Sequence, residues 1–161
     1  MAKSRKHEEW FDRGIAFQDK EEYEEALNCF QKAIEIKADF IPAWVYKGIT
    51  LEQLKRYEDA IACYTEAIDR NPDVADLWYN KGASLCRLRR YGDALKCFDR
   101  VLAINPHHAL AQTTRFLTLA APPNPIKTPP QTEEKEPIEP MRMERSAAIE
   151  ISTSTEIEHT D

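Results

Sequence analysis

Apolar residues recur along residues 7–120 at spacings of three and four, in short blocks divided by polar links. Within 41–74 one block runs through Trp44, Ile49 and Leu51, and a second through Ile61, Tyr64 and Ile68. Side chains three or four apart stack on one side of an α-helix, so the pattern predicts two amphipathic helices. Lys55-Arg56 divides them, and Asn71-Pro72 follows the second. Proline lacks an N–H and clashes with the preceding turn, so a helix stop is expected there. Asn105-Pro106 repeats that signal. Ala38 stands at the matching earlier place, which predicts a softer boundary.

The pattern is periodic on a longer scale. Trp10, Trp44 and Trp78 are 34 apart, as are Gly14, Gly48 and Gly82, and Tyr23, Tyr57 and Tyr91. Ala26, Ala60 and Ala94 keep the step, with Cys29, Cys63 and Cys97, and with Phe30, Tyr64 and Phe98. Such a period is the mark of a repeat architecture in which no single unit buries its own apolar face. A glycine inside a helix costs about 1 kcal/mol against alanine. Three at one register imply a close helix–helix approach, with the alanine column as the expected opposing surface. The aromatic column is expected to fill the space between hairpins.

These columns resemble the tetratricopeptide repeat, whose pattern is W-x2-L-G-x2-Y, then A-x3-F, then P. The second copy reads Trp44, Lys47, Gly48, Leu51, Ala60, Tyr64, Pro72; the third reads Trp78, Lys81, Gly82, Leu85, Ala94, Phe98, Pro106. The first reads Trp10, Arg13, Gly14, Phe17, Ala26, Phe30, Ala38. A basic residue replaces the family's leucine in all three. The resemblance implies an all-α, right-handed superhelical solenoid of three hairpins, at 7–40, 41–74 and 75–108. Residues 109–120 read as a capping helix, with Leu110, Leu117 and Phe116 covering the last hairpin. The repeat domain thus spans 7–121, after a basic extension at 1–6.

In the family, first helices line a concave groove. The matching stripe is Phe11 and Ile15, Val45 and Ile49, Tyr79 and Ala83, with Tyr46 and Asn80 beside it. A largely apolar groove is therefore expected to hold a protein or peptide segment. Some members grip C-terminal carboxylates with basic and amide side chains. The matching places are Phe11, Ile15, Tyr46, Asp76 and Asn80, of which only Asn80 fits, so no carboxylate clamp is expected. The plainer reading is packing against the neighbouring hairpin, and solvent accessibility discriminates the two.

Charge is uneven. Residues 1–121 hold 18 Lys+Arg against 19 Asp+Glu, while 122–161 hold 4 against 9. A near-neutral repeat region disfavours nucleic acid, which needs a concentrated basic face. The weakest reading, an RNA-associated factor, rests on the basic links Lys55-Arg56 and Arg87-Leu88-Arg89-Arg90. No apolar run is long enough to span a bilayer. A soluble cytoplasmic protein with reduced cysteines is expected.

Chemistry has little support. One cysteine per stacked hairpin puts Cys29, Cys63 and Cys97 roughly 10 Å apart, too far to share zinc or a disulfide. Cys86 adds no close pair. His7, His107, His108 and His159 have no nucleophile or carboxylate spaced with them, and His107-His108 reads as a solvated turn. The four glycines form no phosphate loop. No enzyme activity, metal, cofactor or small-molecule substrate is expected.

From residue 122 the composition shifts. Residues 122–161 hold seven of the ten prolines and no aromatic residue, a balance that predicts disorder. Ile149-Glu150-Ile151 and Ile157 interrupt the polarity, as a linear motif for a partner or for the chain's own groove would. The leading expectation is an adaptor or scaffold; the alternative is a structural or assembly subunit of a larger complex.

Overall fold

The computed structural model describes residues 5–122. It comprises α1 (Lys6–Asp19), α2 (Tyr23–Ile36), α3 (Ile41–Gln53), α4 (Tyr57–Arg70), α5 (Ala75–Arg87), α6 (Tyr91–Ile104) and α7 (Ala109–Ala120). Among the described residues there is no strand. Each helix packs on its neighbours in sequence, which makes three antiparallel hairpins and one further helix in a right-handed solenoid. The disorder expected over 122–161 falls, but for Pro122, outside the described residues.

The hairpins repeat more closely than their sequences. α2, α4 and α6 are each 14 residues long and start 34 apart. The softer boundary expected at Ala38 is absent, since α2 stops in register without a proline. The tryptophan column supplies a common restraint instead. Trp44 donates its indole N–H to the Ala38 carbonyl at 2.8 Å, as Trp78 does to Pro72 at 2.8 Å.

Inside each hairpin the turn is a Schellman motif. Glu21, Lys55 and Arg89 have φ of 62°, 58° and 58°. The next residue returns its N–H to a carbonyl five positions back: Glu22 to Phe17, Arg56 to Leu51, Arg90 to Leu85. These bonds satisfy helix-end carbonyls. The motif was not legible from the sequence, because its left-handed position normally carries glycine.

The glycine column is explained by the aromatic column, not the alanines. A Cβ on Gly14, Gly48 or Gly82 would lie 2.5, 2.7 or 2.7 Å from a ring carbon of Phe30, Tyr64 or Phe98. The rings thus fill the hairpin's own interior, and Phe30 also meets Tyr46 of the next hairpin at 6.0 Å, in the space between hairpins. Ala26, Ala60 and Ala94 are fully buried on the same second helices. Three apolar clusters result, and Trp44 packs against the first two. Trp78 joins the second to the third.

Candidate functional site

Helix α3 lies between the hairpins on either side, and that sandwich decides the fate of the expected groove residues. Phe11, Val45, Tyr46, Ile49, Tyr79, Asn80 and Ala83 are buried, and Ile15 alone is half-buried. Phe11 meets Phe30, Phe40 and Tyr46 at ring separations of 5.8, 5.3 and 5.2 Å. Val45 and Ile49 join Tyr64 and Leu77 in one cluster. Tyr79 stacks on His108 at 5.5 Å. The open apolar wall expected from these residues is therefore corrected: seven of the eight are interior packing groups. Asn80 is different in kind, because its amide nitrogen and oxygen are both buried without a hydrogen-bond partner.

His108 also departs from the solvated turn. It is buried, and its Nδ1 accepts the Ala111 N–H at 3.2 Å, capping α7. Its Nε2 points toward Asp76, 3.5 Å away. His107 remains exposed.

A second polar series was missed because its members differ chemically. Thr50 donates to Gln18 at 3.2 Å, and Ser84 donates to Glu52. Cys86 meets Thr118 at 3.5 Å. Each contact joins the end of one first helix to the next first helix, 32 residues on. Glu52 is the charged member. Burial pushes its carboxyl up to about 7, against the opposing effects of Ser84, Tyr64 and Arg87. The Tyr64 hydroxyl lies beside that carboxylate without a well-formed hydrogen bond to it. Burial likewise pushes the Cys63 and Cys97 thiols up to about 11 and raises Cys29 and Cys86. Such thiols are poor nucleophiles near neutral pH. No cluster of metal-ligating side chains occurs among the described residues.

The accessible chemistry lies on another face. The basic column in place of the family leucine lies across the tryptophans. Arg13 sits 5.3 Å from the Trp10 ring centre, Lys47 5.8 Å from Trp44 and Lys81 5.9 Å from Trp78. These are cation–π separations. Lys47 also donates to Gln31 of α2 at 2.8 Å. Between α2 and α4 an open cleft of about 610 Å³ lies over α3. Trp44, Lys47, Leu51, Leu27 and Cys63 line it, with Glu24, Asp59, Glu66 and Arg56 among its charged groups.

The basic links are partly neutralised in place. Arg56 pairs with Asp59 at 2.8 Å, and Arg90 with Asp93 at 3.0 Å.

The tetratricopeptide repeat family matches residues 7–40 and 47–109. The chain belongs to the tetratricopeptide repeat family. No curated protein matches it by sequence. Among solved structures, it is similar to the first tetratricopeptide domain of Spaghetti (RPAP3) bound to the HSP90 peptide SRMEEVD. That likeness has 21% identity and a TM-score of 0.69, and covers 73% of this chain and 96% of the other. It is also similar to the Arabidopsis OM64 tetratricopeptide domain, at 18% identity and TM-score 0.67, over 71% and 94% of the two chains. YrrB, described as a repeat protein with an unusual peptide-binding site, shares 23% identity at TM-score 0.64, over 68% and 57%. At such identities the tetratricopeptide likeness concerns the fold. No helix among the described residues is long and apolar enough to cross a membrane.

Proposed function

We propose that this tetratricopeptide repeat protein is a non-enzymatic adaptor that holds a segment of another protein. The observation that carries the reading is the open cleft between α2 and α4. It has an apolar floor from half-buried Trp44 and charges of both signs around it. A peptide of mixed character would bury its apolar side chains on that floor and pair its charges with the rim. The solenoid supplies a rigid frame, so little ordering of the receptor opposes binding.

The reading extends to specificity. Phe11, Ile15, Tyr46 and Asp76 occupy the places where a carboxylate clamp needs cationic or amide donors. Peptides ending in clustered carboxylates are therefore poor ligands. Ile15 is the groove residue left for contact on the first-helix side. Unpaired buried thiols suit a reducing compartment such as the cytoplasm.

Peptide-display selection against the full chain tests this, followed by titration on tryptophan fluorescence. Selected peptides should lose affinity at least about ten-fold, near 1.4 kcal/mol, in Lys47→Glu. They should be insensitive to Ile15→Asp if the cleft is the site; the reverse sensitivity would move the site to the groove. SRMEEVD should bind no more tightly than about 1 mM. Micromolar binding of that peptide would overturn the clamp statement. Selection of no peptide, with binding only by an intact partner domain, would favour the assembly-subunit reading.

A further inference from the structure

Helix α7 stands in the register of a first helix. Gln112 donates its side-chain N–H to the Pro106 carbonyl at 2.8 Å, the bond that Trp78 makes to Pro72 one repeat earlier. Thr118 takes the place that Ser84 and Thr50 hold in the polar series. Ala111, Thr114 and Thr118 are buried against the preceding hairpin. The large apolar residues that were expected to cover that hairpin face the other way. Leu110, Phe116, Leu117 and Leu119 are between 49% and 70% exposed.

Phe116 and Leu119 lie on the face that each earlier hairpin covers with its own second helix. Leu119 continues the column of Leu51 and Leu85. Those two are each 2% exposed, beneath α4 and α6, whereas Leu119 is 55% exposed. Phe116 continues the glycine column, so here the bulk at that contact sits on the first helix, where the earlier hairpins carry it on the second.

We infer that residues 138–151 of this chain dock as a helix on the exposed face of α7 and complete a fourth, split hairpin. These residues lie outside the described part of the structure, and the argument rests on register. Ala148-Ile149-Glu150-Ile151 repeats Ala33-Ile34-Glu35-Ile36, the end of α2. With those aligned, Met141 and Ala148 take the positions of Ala26 and Ala33, which pack in the first hairpin's own cluster. Arg145 takes the position of Phe30 and meets Phe116 in place of glycine, where its stem and guanidinium can lie over the ring. Arg142 and Glu144 take the positions of Leu27 and Cys29. Leu27 packs in the second hairpin's cluster, and no hairpin follows here, so a charge at its position would meet water. Pro140 falls in the first helical turn, where its missing N–H is not needed.

Connection favours this occupant over a second copy of the chain. A tethered segment needs little buried area, because its effective concentration reaches about millimolar. Residues 121–137 replace the three-residue loop of the earlier hairpins. At about 3.1 Å per residue they span far more than a hairpin requires.

Hydrogen exchange of the full chain, read by mass spectrometry alongside light scattering, tests the inference, which stands apart from the proposed function. Amides of 141–151 should exchange at least about ten-fold more slowly than an unstructured chain. That protection should vanish in Phe116→Asp and in Ile149→Asp, while α1–α6 keep theirs. A monomer in which 141–151 exchange freely overturns the proposal. So does a dimer that Phe116→Asp dissociates while 141–151 remain unprotected, since α7 would then be a copy–copy interface. Protection unchanged by either substitution also overturns it, because the segment would then be docked elsewhere.

Discussion

The Tyr64 ring occupies the space where a side chain on Gly48 would stand, with a built Cβ only 2.7 Å from its Cε1. The ring is fully buried, so it has no open direction in which to move. The glycine and the aromatic are one packing unit, repeated three times.

Gly48→Ala should therefore destabilise the fold despite alanine's better helix propensity. Overpacking costs about 1–3 kcal/mol, and the propensity gain of about 1 kcal/mol offsets part of it. A net loss of about 1–2 kcal/mol is expected by denaturant unfolding. The same substitution at exposed Gly92, where no atom lies within 4 Å of a built Cβ, should not destabilise. Equal losses at both sites would remove the packing account.

Glu52→Gln should change the pH dependence of stability. The carboxyl's folded value, about 7, lies above its ordinary 4.5, so the folded chain retains the proton longer. The stabilisation from protonated Glu52 is complete below 4.5 and is lost as the pH rises through about 7. The glutamine, which already serves as Gln18 in the equivalent contact, removes that loss. At pH 8 the variant should be more stable by on the order of 2–3 kcal/mol. Its unfolding midpoint should change less between pH 4.5 and 7 than that of the parent. Parallel pH profiles would rule out Glu52 as the titrating group.

Lys55→Gly should stabilise. Lys55 holds φ at 58°, a region that costs a side-chain-bearing residue roughly 1–2 kcal/mol. Glycine relieves this, less its greater freedom in the unfolded chain. A gain of about 0.5–1 kcal/mol is expected, read as a higher thermal midpoint; a loss would show that the lysine side chain outweighs the strain.

Asn80→Leu separates stability from binding. Both polar atoms of Asn80 are buried without partners, a situation that costs about 1–3 kcal/mol. Leucine should raise stability by about that order. If selected peptides bind the variant as tightly as the parent, Asn80 has no contact role. A stabilised variant with weakened binding would assign the amide to the partner.

The three hairpins and the seven helices follow from features that act locally. Amphipathic spacing and the 34-residue step of tryptophan, glycine and aromatic columns act at short range, so a linear reading finds them. Which face of each helix meets water is a different kind of question. Val45, Ile49 and Tyr79 lie on a stripe that faces outward in an isolated hairpin and inward once a neighbour stacks on it. The stripe of Leu110 and Leu117 misled in the opposite sense, because α7 packs through Ala111, Thr114 and Thr118. Helix period determines that a stripe exists; the stacking of hairpins far apart in the chain decides which stripe is covered. The Lys47–Gln31 contact between α3 and α2 and the raised Glu52 carboxyl have the same origin. Both depend on how neighbouring helices pack, and no spacing along the chain encodes the distance between them.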